Sequence, residues 1–166
     1  MNIWTLTDEY DTKSGLLNEY EFGYGRLQNF IDRVCPEMKA KVPNLKNPNR
    51  ILAIYKELDP SCGWYTGFGL EVTEFSEDTP EQFERTVIPP QTYLKYTSDP
   101  GPLPIANLRI WDHVLRGSGE RLDPPEGYKR DLWDGYDFEV YDERAFDHSN
   151  AVVDLYLHIV QRKKPE

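Results

Sequence analysis

A chain of 166 residues suits one domain, 1–166, with a sizeable core, and is too short for two ordinary ones. Lys and Arg number 19 against 29 Asp and Glu, and the resulting charge of −10 argues against a nucleic-acid or anionic-membrane partner. No apolar run approaches the roughly 18 residues of a membrane span, and the N-terminal MNIWTLTDEY carries acid where a leader carries base. Two cysteines, Cys35 and Cys62, are too few for a disulfide framework or a zinc cluster, so the expectation is a cytoplasmic protein without metal or cofactor. Eleven Tyr, seven Phe and four Trp supply a core that disordered chains lack.

In chain order, Asn2 to Thr7 is a candidate first strand, separated from the first helix by the polar stretch Asp11 to Gly15. Residues 18–35 carry Leu27, Phe30, Ile31 and Val34 at i, i+3, i+4 and i+7, one stripe of an amphipathic helix. Pro36 is expected to end it, because the residue before a proline is pushed out of the helical region. Arg50 to Leu58 reads as a strand, Asp59 to Gly63 as a turn, and Trp64 to Val72 as a second strand. Phe83 to Ile88 and Gln91 to Thr97 are extended, broken by Pro89-Pro90. Leu103 to Arg116 is a helix with proline at its mouth and Gly117 beyond its end, its apolar side carrying Leu108, Trp111, Val114 and Leu115. Tyr136 to Tyr141 and Ala151 to Val160 complete the pattern as strands. Helix plus strand pair thus occurs twice, which makes the fold α+β, with antiparallel strand pairs and helices on one face.

Glu139 is the sharpest candidate for chemistry. Alternation along Tyr136–Tyr141 puts Tyr136, Phe138 and Val140 on one face of the strand and Asp137, Glu139 and Tyr141 on the other. A mid-strand Glu on an antiparallel sheet ordinarily faces water. Buried, it would need a cation or hydrogen bonds to offset desolvation.

Several segments together resemble the GyrI-like small-molecule-binding superfamily, the effector-binding domain of AraC- and MerR-type multidrug-responsive regulators. They are Ile51 to Tyr55, Trp64 to Val72, Val87 to Tyr93, Trp111 in the second helix, and Phe138-Glu139-Val140-Tyr141 before a final apolar strand. The resemblance covers about residues 18–162 and rests on the order and spacing of short motifs. It implies two strand–helix–strand–strand repeats related by a pseudo-twofold, with a ligand channel where they meet and Glu139 reaching into it. It further implies planar, amphipathic, often cationic ligands between aromatic walls. The wall candidates are Tyr55, Trp64, Phe68, Tyr93, Trp111 and Tyr141, since tyrosine and tryptophan offer rigid apolar area with one polar tip. With residues 18–162 used by this domain there is no room for a helix-turn-helix, so the expectation is a stand-alone member that does not bind DNA itself.

The resemblance implies three possible functions. The first is sensing or sequestration of a planar cation with Glu139 as charge partner. The second is hydrolysis of a strained, cyclopropane-bearing electrophile, with Glu139 assisting water attack and Tyr141 supporting it. The third is an acidic protein-interaction module, such as a gyrase-binding protein. Other chemistries are weakly signalled. His113, His148 and His158 lack metal-ligand spacing, although His158 on the last strand could face Glu139. Cys62 sits in turn chemistry with no identifiable base.

Overall fold

The computed structural model describes residues 1–8, 27, 30–59, 63–115, 123–131 and 135–162. Eight strands form one antiparallel sheet: β1 (Asn2–Asp8), β2 (Ile51–Asp59), β3 (Gly63–Val72), β4 (Glu84–Val87), β5 (Thr92–Thr97), β6 (Tyr128–Arg130), β7 (Asp137–Tyr141) and β8 (Asp154–Gln161). Among the described residues two α-helices accompany them, α1 (Cys35–Lys41) and α2 (Leu103–Leu115). The strand order is β4-β1-β3-β2-β7-β8-β5. Exchanging β1 with β5, β3 with β8 and β2 with β7 turns the run β1-β3-β2-β7-β8-β5 into its own reverse. This is the signature of two strand–helix–strand–strand repeats, β1-α1-β2-β3 and β5-α2-β7-β8, joined at the antiparallel β2–β7 seam.

The sheet cannot be flat. β4 and β5 lie at opposite edges, yet only five residue steps separate Val87 from Thr92. Five steps reach at most about 18 Å, whereas the six inter-strand gaps of a flat sheet span about 29 Å. The sheet therefore curls until its edges approach. The closed side carries Ile3, Leu52, Ile54, Ile88, Phe138 and Val140, with Tyr93 and Tyr156 packed against them. The other side receives both helices. Met38 and Val42 at the first helix, and Leu103, Ala106 and Ile110 of α2, share one core with Ile51, Ala53, Phe68, Leu70, Tyr141, Leu155 and Leu157.

Several sequence expectations are corrected. The first helix does not end at Pro36. A π-helical turn, Phe30–Val34, passes into α1, which runs to Lys41. Pro36 is the second residue of that α-helix, directly after the π-helical turn. In α2 the sheet-facing stripe is Leu103, Ala106 and Ile110, while Leu108 is 40% exposed. β6 has no counterpart among the elements expected from sequence. Ile159 of β8 pairs with Thr92 of β5 on one side and Arg130 of β6 on the other, so β6 continues β8's pairing beyond the end of β7. The polar stretch 11–15 lies outside the described residues.

Candidate ligand-binding site

Glu139 stands at the middle of β7 and is fully buried on the helix-covered face, so the ordinary water-facing expectation does not hold. All five residues of β7 are buried because one face meets the helices and the other lies inside the curl. Ala53 of β2 pairs with Glu139 on one side and with Phe68 of β3 on the other. A row Phe68–Ala53–Glu139 therefore crosses the seam, with a methyl group between a ring and a carboxylate about 10 Å apart.

Among the described residues, three side chains hydrogen-bond to that carboxyl group. The Tyr55 hydroxyl donates to Oε2 at 2.8 Å and the Tyr141 hydroxyl donates to the same oxygen at 2.5 Å. From α2, Asn107 Nδ2 donates to Oε1 at 2.7 Å and to the Tyr141 hydroxyl at 2.8 Å. Burial, reinforced by the negative charge of Glu139, holds the Tyr141 phenol well above its ordinary range, so it remains a proton donor. These donors are phenols and an amide. They orient the carboxyl group of Glu139 through hydrogen bonds to both of its oxygens.

The structure brings Tyr55, Phe68, Glu139 and Tyr141 to one face at the seam. It does not bring Tyr93 there. Tyr93 pairs with His158 across β5–β8 and lies inside the curl, its ring 5.1 Å from Phe138 and 6.2 Å from Tyr156. Its hydroxyl donates to Gln91, and burial with the nearby Asp137 charge pushes its pKa up to about 12. The backbones of Trp64 and Trp111 belong to β3 and α2, but their side chains lie outside the described residues, as does Cys62.

His158 does not face Glu139 either: it lies on the Tyr93 side of β8, where its imidazole fills the space a Cβ at Gly135 would need. Nor do Asp137 and Glu139 share partners. Asp137 accepts from Arg130 at 2.6 Å and from the His158 backbone N–H at 2.7 Å, so its carboxylate fills the place on β8 between the β7 and β6 pairings. Burial raises the Asp137 pKa, and Arg130 offsets part of that rise. Asn107 is the site residue that sequence reasoning misses. A polar residue beside Ala106 in an otherwise apolar stripe is the available signal.

A carboxyl group thus lies buried at the junction of the two repeats, held by hydroxyl and amide donors. The family comparison gives the class of protein. Residues 18–159 match the model of Cass2, the integron-associated effector-binding protein, and the chain belongs to that family, within the GyrI-like fold. No curated protein matches by sequence. Among the solved structures that share the fold are two of similar length. One is SAV2435 bound to tetraphenylphosphonium, at a TM-score of 0.68 and 11% identity over 96% of this chain and 88% of that one. The other is described as a bacterial transcription regulation protein from Staphylococcus aureus MU50, at 0.55 and 12% over 96% and 92%.

Proposed function

We propose that the protein binds an aromatic, amphipathic cation at the β2–β7 seam and serves as a cytoplasmic sensor or sequestering protein. Glu139 is the charge partner, and Tyr55, Phe68 and Tyr141 supply the wall. The buried Glu139 carboxylate, held by hydroxyl and amide donors, carries this reading. A cation over a tyrosine face gains roughly 0.5–2 kcal/mol, and a carboxylate removed from water attracts it more strongly than one at the surface. Support also comes from SAV2435, since tetraphenylphosphonium is a bulky aromatic cation.

The test is fluorescence titration with paired cationic and neutral dyes of matched shape, using wild type and Glu139→Gln. The reading expects saturable binding of the cations that falls at least tenfold in the variant, with neutral dyes little changed. Equal losses for both classes would remove Glu139 as charge partner.

A further inference from the structure

We infer that Asn107 sets which cations the site prefers, selecting those that carry an N–H over fully substituted onium ions. The inference rests on the binding reading above and deepens it. Asn107 projects from α2 as the amide in the stripe Leu103, Ala106, Asn107, Ile110. Its amide is oriented with Nδ2 donating to Glu139 Oε1. The same nitrogen donates to the Tyr141 hydroxyl, which in turn donates to Glu139 Oε2. Asn107, Tyr141 and Glu139 thus form a closed ring of hydrogen bonds that locks the amide.

The consequence lies with the other amide atom. Both described hydrogen bonds of Asn107 use Nδ2, and Oδ1 accepts none among the described residues. Covalent geometry fixes Oδ1 about 2.3 Å from Nδ2, so this acceptor stands beside the carboxylate, on a side chain that is only half-buried. A bound ammonium, amidinium or guanidinium can donate an N–H to Oδ1 while its charge faces Glu139. A quaternary ammonium or phosphonium satisfies the charge but leaves Oδ1 desolvated without a donor, a cost that falls on that ligand alone.

The experiment uses one aromatic skeleton in two forms at pH 7, a protonated tertiary amine and its N-methyl quaternary salt. Both are titrated against wild type, Asn107→Leu, Asn107→Ala and Glu139→Gln. Wild type should bind the N–H form about tenfold more tightly, the worth of one hydrogen bond from a charged donor. Both Asn107 variants should bring the pair within about twofold of each other, whatever they do to affinity overall. That ratio separates selection from a structural role, which would weaken both ligands alike. Equal binding of the two forms by wild type, or a preference that survives both Asn107 variants, would overturn the inference while leaving the charge reading intact. Cations that bind wild type and Glu139→Gln equally would overturn the charge reading, and the inference with it.

Discussion

Gly135 sits where no other residue fits. A Cβ built there would lie 1.8 Å from His158 Nδ1, 2.3 Å from Cγ and 2.6 Å from Cε1. Carbon atoms in contact settle near 3.5–4.0 Å, so Gly135→Ala demands that ring and backbone separate by well over 1 Å. The ring is held in place. His158 is 5% exposed, pairs with Tyr93 in the sheet, stands 6.2 Å from that ring, and gives its backbone N–H to Asp137. Overpacking of this kind costs about 2–3 kcal/mol, which at roughly 2–4 °C per kcal/mol lowers Tm by about 5–10 °C. Urea melts of wild type, Gly135→Ala, His158→Ala and the double variant isolate the contact. In the double variant the clashing atoms are gone, so the cycle should show a favourable coupling of about 2 kcal/mol. A Gly135→Ala protein within about 0.5 kcal/mol of wild type, the ordinary surface range, or a cycle that closes additively, would refute this packing.

Three further outcomes concern other parts of the molecule. Tyr141→Phe removes the 2.5 Å donor to Glu139 from a side chain that is 1% exposed, and should cost about 1–3 kcal/mol by urea melt; an unchanged midpoint would contradict the ring of hydrogen bonds. Burial alone would raise the Asp154 pKa, but Arg144, Thr97 and Lys95 together hold it below the ordinary value. A depressed folded pKa contributes stability above the unfolded pKa of ~4 that is lost as pH falls through the folded value. Asp154→Asn should therefore lower stability at neutral pH and flatten the acid limb, and an acid limb identical to wild type would refute the network. Burial pushes the Cys35 thiol up, with Lys39 opposing. In a Cys62→Ser background, maleimide should label Cys35 only on unfolding, and rapid native labelling would contradict its burial.

How much of the fold and site is legible in the sequence differs from element to element. β2, β3, β7 and β8 announce themselves through alternating or β-branched runs, and the face of Glu139 is set by a period of two. Its burial is not, because alternation separates two faces without saying that both are covered. Here one face meets the helices and the other is enclosed by the curl. Tyr93 parts from Glu139 because its side depends on the β5–β8 register, a long-range pairing that local pattern does not encode. The local rule at Pro36 fails because the π-helical turn resets the helix start. In α2 the apolar Leu108 draws the stripe the wrong way, and the polar Asn107 hides on the true one. The site residue least visible in the sequence is the one that joins the helix to the carboxylate.

The central claim is that a cation sits beside Glu139 at the seam of the two repeats. The most direct measurement is a crystal structure of the complex with a bromine-labelled aromatic cation, its position read from anomalous scattering. The account predicts the cationic centre within about 6 Å of a Tyr55 or Tyr141 ring, facing the Glu139 carboxylate across from Phe68. A cation found instead in the polar groove of Asn47, Asn49, Asp142, Glu143 and Arg144, with the seam unchanged, would contradict it.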